Sequence, residues 1–357
     1  MTPASATATA PRAAHRALRG SALVIQTSFL GDMVLTTPLL AYLAASSTVD
    51  VVCTPAASVL LENHPAVRNV IVYDKRGKDR GAAGAMRLAM RLRENHYDAA
   101  YLAQGSIRSG AIAFMARIPE RVGFVTSAGR WFYTTRVLPI ENTHHAARLL
   151  ALGTRDPLRV VRNAELRPRL YPGERERLAV DEVLGTNAMT DEPLIAMAPG
   201  SVWATKRWPY FPQLAAALRD FGRIVVVGTE ADRPLALEIV AATKGQAVDA
   251  TGRLSLLASA EFIGRSALLV TNDSAPLHLA SAMNTPTVAV FGPTVPEFGF
   301  GPLADRSTVA GHTSLACRPC DRHGPQRCPL GHWRCMREIT PDGVASLAVG
   351  LLTTRIL

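Results

Sequence analysis

Short apolar segments alternate with helix-forming segments along most of this chain. Residues 22–26 read ALVIQ, and a helical pattern follows them. The same alternation returns at residues 223–228 and at residues 268–271. Because parallel strands need a long crossover, usually a helix, this order predicts parallel βαβ units. We therefore expect an α/β fold built from Rossmann-like, doubly wound sheets.

The alternation occurs in two runs, which a polar stretch at residues 159–177 separates. A chain of 357 residues is long enough for two domains. We predict a first domain at residues 21–180 and a second at residues 181–357, facing each other across a cleft. Residues 1–20 are rich in Ala and Thr and lack the apolar core of a signal peptide. We expect them to form a disordered tail, with a targeting peptide as the alternative.

The formal net charge of +10 is unevenly distributed. Residues 1–180 contain 24 Lys and Arg against 13 Asp and Glu, whereas residues 181–357 contain 15 against 16. A basic half suggests an anionic partner such as nucleic acid, an acidic membrane face or a phosphorylated lipid. The alternative is a solvated basic surface without a partner. No nucleic-acid-binding module is recognisable, so a nucleic-acid partner is not expected.

Apolar residues make up 48% of the chain, which is a composition of soluble globular proteins. No apolar run approaches the roughly 20 residues that a membrane-spanning helix needs.

Residues 268–293 read as a strand, a polar turn, a short helix and a second strand. Ser274 can cap the helix, and Pro276 suits its first turn. Such a unit directs backbone N–H groups and a helix N-terminus toward an anion. Asp273 and His278 flank the turn, and a carboxylate here suits sugar hydroxyls. Alternatively, Asp273 only caps the helix and His278 is a satisfied helix residue.

Asp32 follows the first strand and a loop of small residues that ends at Gly31. Gly31 allows a positive φ or a close ligand approach. A carboxylate at the start of the helix can act as a general base toward a hydroxyl nucleophile. The alternative is that Asp32 is an N-cap.

Two loops of the second half have the composition of a nucleotide site. Ser201 and Lys206 follow a strand, and the lysine can neutralise a diphosphate as a point charge. Gly228 and Glu230 follow the strand RIVVV, without the G-x-G-x-x-G pattern of a Rossmann dehydrogenase. A glutamate at the end of a strand suits the hydroxyls of a ribose.

Four of the five cysteines lie within 19 residues, at Cys317, Cys320, Cys328 and Cys335. Thiolates at this density suggest a structural zinc or disulfides, although the spacing matches no standard zinc finger. Unligated thiols are the third alternative. A catalytic metal is not expected.

Several further motifs occur in order along the chain, namely GDMVLTTP, SIRSGA, PGSVWATKRWP, VVVGTEAD, TNDSAPLHLA, VAVFGPTVPEF, the cysteine-containing segment and ITPDGV. With these motifs the chain resembles the ADP-heptose:lipopolysaccharide heptosyltransferases of glycosyltransferase family 9. The resemblance extends from about residue 21 to the C-terminus. One departure is Ala275, where many members have Gly.

The resemblance implies a GT-B fold in which the last helix packs back on the first domain. It implies Asp32 as the catalytic base. It implies a donor site in the second domain, formed by Ser201, Lys206, Gly228, Glu230, Asp273, Ser274, Ala275 and His278. It implies an acceptor site in the first domain, which we assign to Ser28, Gly31, Lys75, Arg76, Lys78, Arg80, Ser106 and Arg108.

The resemblance also implies a function, namely inverting transfer of a heptose from ADP-heptose to the lipopolysaccharide inner core without a required cofactor. The acceptor would be a lipid A–core molecule, and the enzyme a cytoplasmic monomer at the inner face of the inner membrane. The alternatives are a related transferase with another nucleotide sugar or glycan acceptor, and a non-catalytic basic binding protein.

Overall fold

The computed structural model describes residues 20–156, 161–185 and 192–353. The predicted tail at residues 1–20 therefore lies outside the described residues, apart from Gly20. Two six-stranded sheets organise the described chain, and every strand pairing in them is parallel. The predicted fold class, two Rossmann-like α/β domains, is confirmed.

The first sheet has the strand order β3-β2-β1-β4-β5-β6. Its strands are β1 Ser21–Gln26, β2 Thr48–Cys53, β3 Asn69–Val72, β4 Ala99–Tyr101, β5 Glu120–Phe124 and β6 Thr135–Val137. The helices of this half are α1 Leu30–Ala44, α2 Pro55–Ser58, α3 Gly81–Glu94, α4 Ile107–Met115, α5 His145–Thr154 and α6 Asn163–Leu166.

The second sheet has the order β12-β11-β10-β7-β8-β9. Its strands are β7 Leu194–Ala198, β8 Arg223–Val226, β9 Val248–Asp249, β10 Leu268–Asn272, β11 Thr287–Phe291 and β12 Ser307–Gly311. The helices are α7 Glu174–Leu184, α8 Phe211–Leu218, α9 Arg233–Ala242, α10 Leu256–Arg265, α11 Ala275–Met283, α12 Arg334–Arg337 and α13 Pro341–Thr353. Every residue of β10 and β11 is buried, because helices cover both faces of a parallel sheet.

Two helices near the predicted domain limits pack differently from expectation. The predicted boundary at residues 180 and 181 falls inside α7, which packs on α10 of the second domain. The last described helix, α13, packs on α8 and on strands β10, β11 and β12. The expectation that the last helix packs back on the first domain is therefore not met by α13, whose apolar residues complete the core of the second domain.

Helix α1 contains Pro38 without ending there. Proline has no N–H, so the carbonyl of Val34, four residues earlier, loses its helical donor. The hydroxyl of Thr37 donates to that carbonyl at 2.8 Å. The side chain thus replaces the missing backbone hydrogen bond, and α1 continues to Ala44.

The two domains meet where α1 packs on α11. A Cβ atom on Gly31 would lie 2.5 Å from Cδ2 of His278, closer than real contacts allow. Gly31 is therefore required for the close approach of the two domains. This contact brings the carboxyl ends of β1 and β10 to one cleft.

Candidate active site

A cleft of about 420 Å³ lies between the domains, beyond the carboxyl ends of β1 and β10. Loops after parallel strands form such sites because strand ends and helix N-termini converge there. Residues of both domains line the cleft. Of the predicted site residues, these are Ser28, Gly31, Asp32, Ser201, Lys206, Asp273, Ser274, Ala275 and His278.

Asp32 lies in the first turn of α1, which begins two residues earlier than expected, at Leu30. Its Oδ2 atom accepts a hydrogen bond from Ser28 Oγ at 2.7 Å and a longer one from the Phe29 N–H at 3.4 Å. These bonds fix the carboxylate at the N-terminus of the helix. The other oxygen, Oδ1, is not engaged by these donors, so it can accept a proton from a substrate.

His145 is a cleft residue that the sequence analysis missed. Its Nε2 atom lies 3.6 Å from Asp32 Oδ1, and its buried Nδ1 atom has no hydrogen-bond partner in the described protein. Burial, followed by the charge of Arg148, lowers the pKa of His145 to about 3. The imidazole is therefore neutral at neutral pH. No local sequence signal identifies it, because its position depends on the packing of α5 against α1.

Lys206 and Asp273 form a buried ion pair on the second-domain side of the cleft. Lys206 Nζ donates to Asp273 Oδ2 at 2.6 Å, and each residue is 8% exposed. The hydroxyl of Thr294 donates to the same oxygen at 2.6 Å. The structure thus joins two residues that the sequence analysis treated separately, and it adds Thr294 to them.

Helix α11 begins next to this pair, with Ser274 in the N-cap position and Ala275 as its first residue. Asp273 precedes the cap, so the interpretation of Asp273 as the helix N-cap is wrong. His278, on the first turns of α11, is buried, and its Nδ1 atom has no partner in the described chain. Burial is the main cause that lowers the pKa of His278 to about 4, so this ring is also neutral.

Two predicted donor residues, Gly228 and Glu230, do not line the cleft. Glu230 lies after β8, with 67% of its side chain exposed, and pairs with Arg233 at 3.2 Å. Gly252, with a φ of +73°, passes so close that a Cβ atom there would be 2.4 Å from Glu230 Oε2. Glu230 therefore lies at the surface beside Arg233 in this structure, and its predicted contact with a ribose stays a prediction.

The predicted acceptor residues divide into three groups. Ser28 and Gly31 line the cleft. Lys78 and Arg80 are exposed and line neither cavity. The remaining four line an adjacent first-domain cavity of about 280 Å³, namely Lys75, Arg76, Ser106 and Arg108.

This basic cavity adjoins the cleft at Gln104, which lines both. Lys75 Nζ donates to the backbone carbonyl of Thr27 at 2.5 Å. Burial, followed by the positive charges of Arg76 and Arg108, lowers the pKa of Lys75. A cavity with this much unneutralised positive charge suits an anionic group.

The cysteine segment, residues 317–335, covers part of the cleft. The His323 ring lies 5.7 Å from the Phe29 ring of the first domain and stacks 6.2 Å from Trp203 of the second. Gln326 accepts from the N–H of Ala204 and donates to the carbonyl of Val202. The segment is therefore attached to the loop that carries Lys206.

The cysteines are free thiols in this structure. Within the described ranges, no three His, Cys, Asp or Glu side chains form a group that could hold a metal ion. Burial raises the pKa of Cys335 to about 11. The predicted zinc site is therefore not preformed by these side chains.

In the described part of the chain, helices that are apolar and long enough to span a bilayer are absent.

Comparison with known proteins gives consistent similarities. The profile of glycosyltransferase family 9 (heptosyltransferase) matches residues 85–331. Lipopolysaccharide heptosyltransferase 2 of Escherichia coli K12 is 30% identical over 307 residues, which cover 80% of this chain and 86% of the relative.

Solved structures extend the similarity to the fold. E. coli ADP-heptose LPS heptosyltransferase II superposes with a TM-score of 0.76 at 26% identity, covering 94% of this chain and all of that one. A second E. coli heptosyltransferase, solved with ADP-2-deoxy-2-fluoro heptose, has a TM-score of 0.67 at 19% identity. It covers 92% of this chain and 99% of that one.

Proposed function

Because this chain belongs to glycosyltransferase family 9, the heptosyltransferases, we propose that it transfers heptose from ADP-heptose to the lipopolysaccharide inner core. The names of its relatives support this donor and acceptor. The ADP-heptose analogue in one structural neighbour also supports the donor.

One observation carries the proposal. Asp32 of the first domain and the Lys206–Asp273 pair of the second line the same cleft. A transferase must hold a base on the acceptor side and positive charge on the leaving-group side. This arrangement supplies both.

In the proposed reaction, Asp32 accepts the proton of an acceptor hydroxyl. The hydroxyl oxygen attacks the anomeric carbon of the heptose from the face opposite ADP. The bond from that carbon to the diphosphate oxygen breaks, and its electron pair leaves with ADP. This single displacement inverts the anomeric configuration.

On the donor side, Lys206 and the N-terminus of α11 stabilise the charge that develops on the diphosphate. Binding of the diphosphate draws Lys206 away from Asp273. The released Asp273 carboxylate can then accept hydrogen bonds from heptose hydroxyls. His278 and His145 are neutral, so they do not repel the cationic groups of the cleft.

On the acceptor side, we assign the basic cavity of Lys75, Arg76, Ser106 and Arg108 to an anionic group of the lipid A–core molecule. This acceptor is anchored in a bilayer, so the proposed place of reaction is the inner face of the inner membrane. We propose that the enzyme acts there as a peripheral monomer.

The proposed reaction needs no catalytic metal, because Asp32 and Lys206 supply the base and the positive charge.

A structural zinc in the cysteine segment stays a prediction. Burial raises the pKa of Cys320, and the thiols of Cys317 and Cys328 raise it further. Elemental analysis of purified protein tests the prediction, because about one zinc per chain would support a structural zinc, whereas metal-free protein would support unligated thiols or disulfides. Metal-free protein of full stability would contradict the prediction.

A transfer assay tests the function directly. Purified protein is incubated with ADP-heptose and truncated lipopolysaccharide acceptors that carry no heptose or one heptose. We expect a product heavier by one heptose and thermal stabilisation by ADP-heptose. Stabilisation by a UDP- or GDP-sugar but not by ADP-heptose would refute the donor assignment.

A further inference from the structure

Helices α3 and α4 cover the same face of the first sheet. Leu88 of α3 and Ile112 of α4 belong to one buried core cluster. The two helices pack on each other, and α4 packs on the short 3-10 turn Arg130–Phe132. Their outer sides therefore form one continuous surface of the first domain.

This outer surface exposes five large apolar side chains. The exposed fractions are 47% for Met86, 63% for Met90, 61% for Ile107, 54% for Phe114 and 74% for Trp131. Isolated exposed apolar residues are ordinary, but a group on adjacent elements marks an interaction site. We call these five residues the apolar surface.

Basic side chains lie beside the apolar surface. Residues 75–137 contain twelve Lys and Arg against four Asp and Glu. The guanidinium group of Arg130 lies 4.9 Å from the centre of the Trp131 ring, and that of Arg121 lies 5.6 Å from the Phe114 ring. Arg87 and Arg91 are exposed on α3, and each directly follows an exposed methionine in the sequence.

The apolar surface also borders the basic cavity. Ile107 is exposed at the first position of α4, and its neighbours Ser106 and Arg108 line that cavity. A partner that covers the apolar surface would therefore lie beside the site that we assign to the acceptor.

We propose that the apolar surface docks this protein on an anionic lipid bilayer. Methionine, isoleucine and aromatic side chains would enter the interfacial region, while the surrounding arginines contact anionic headgroups. This proposal rests on the proposed function in one respect, because the cavity beside the docked surface is assigned to the acceptor there.

Charge and chemistry favour a bilayer over other partners. A second copy would bring the same basic surface against itself, because a two-fold interface is self-complementary, and the like charges would repel. A nucleic acid would neutralise the arginines but would leave the exposed Met90 and Ile107 side chains without an apolar environment.

Vesicle sedimentation tests the proposal with the full chain. Vesicles of phosphatidylcholine alone are compared with vesicles that also contain phosphatidylglycerol. We expect binding to the anionic vesicles that weakens as salt rises, because the headgroup attraction is screened. In the double variant Met90→Glu, Trp131→Glu, binding should weaken at least tenfold.

The matched control is Phe221→Glu, Leu237→Glu, which makes the same charge change at exposed apolar positions of the second domain. It should bind vesicles like the wild type. Equal weakening in both double variants would refute the surface assignment, as would tight binding to duplex RNA without vesicle binding, or self-association through this face.

Transfer to a short delipidated acceptor separates this proposal from the proposed function. We expect the Met90→Glu, Trp131→Glu variant to keep wild-type kcat on that acceptor while it loses activity on acceptor in vesicles. If the wild type binds anionic vesicles but transfers no heptose, the proposed function is refuted and the proposed docking surface is still supported.

Discussion

The loop that precedes Asp32 donates two hydrogen bonds to its carboxylate, and both go to the same oxygen, Oδ2. In Asp32→Asn the side chain keeps its shape but loses its basicity, so the proposed proton transfer is removed. We expect kcat to fall by roughly 10²–10⁴, the range for loss of a general base. Binding of ADP-heptose, followed by calorimetry, should stay close to wild type. Retained turnover would contradict the assignment of Asp32.

His145 Nε2 lies 3.6 Å from Oδ1, the second oxygen of Asp32. Replacement by Ala removes this neighbour and lets the carboxylate rotate. We expect kcat to fall about tenfold, because the carboxylate is then less precisely oriented toward the acceptor hydroxyl, with little change in the KM for ADP-heptose. His145→Gln, which keeps a donor, should recover part of the rate. Equal loss in both variants would argue for a purely structural role.

Gly31 allows the close approach of α1 to His278. In Gly31→Ala the added methyl group forces the two domains apart or displaces the ring. Overpacking of this kind costs about 1–3 kcal/mol, so denaturant unfolding should show a reduced free energy of unfolding. Gly350→Ala is the matched control, because an added Cβ there meets no atom of the described residues within 4 Å. The control should be neutral or slightly stabilised.

The central strands were predictable from sequence because they are uniformly apolar. The strands β1, β8 and β10 overlap the predicted apolar segments at residues 22–26, 223–228 and 268–271. The edge strands β6 and β12 were missed. They are short or half-exposed, so their sequences lack a continuous apolar run.

The parts of the site near strand ends were predictable for a similar reason. Asp32, Lys206 and Asp273 each follow a strand, and parallel strands bring such residues to one edge. His145 and Thr294 could not be predicted, because their contacts depend on packing between segments far apart in the chain. Glu230 also follows a strand, but β8 is two strands away from β10, so its loop lies outside the cleft.

At the scale of elements, Arg318 joins the cysteine segment to the loop after β11. Its guanidinium group donates to the carbonyls of Phe291, Gly292 and Thr294. Arg318→Ala leaves these carbonyls without their charged donor, and we expect a loss of about 2–4 kcal/mol. Thermal unfolding measures this loss. Arg322→Ala, in the same segment, is a control for the removal of charge.

Four buried or half-buried histidines make the stability of the whole molecule depend on pH. Burial is the main cause that lowers the pKa of His64, His144 and His278 to about 4 and that of His145 to about 3. The unfolded chain, with an ordinary histidine pKa near 6.5, binds more protons below that pH. The free energy of unfolding should therefore fall as pH drops from about 6.5 to about 4.

Thermal unfolding between pH 7.5 and pH 4.5 checks this expectation. His64→Gln, away from the cleft, removes one of the four groups, so its melting temperature should change less steeply with pH than that of the wild type. A wild-type melting temperature that is constant across this range would contradict the buried neutral state of these rings.

The Lys206–Asp273 pair has a consequence for inhibitor design. In the proposed reaction the donor diphosphate separates two charges that lie 2.6 Å apart in a buried site. A neutral linker in place of the diphosphate offers Lys206 no anion, so the ion pair would stay closed and Asp273 would not be released to accept hydrogen bonds from the inhibitor. Tight competitive inhibitors of this protein should therefore carry an anion for Lys206 together with hydroxyl donors for Asp273.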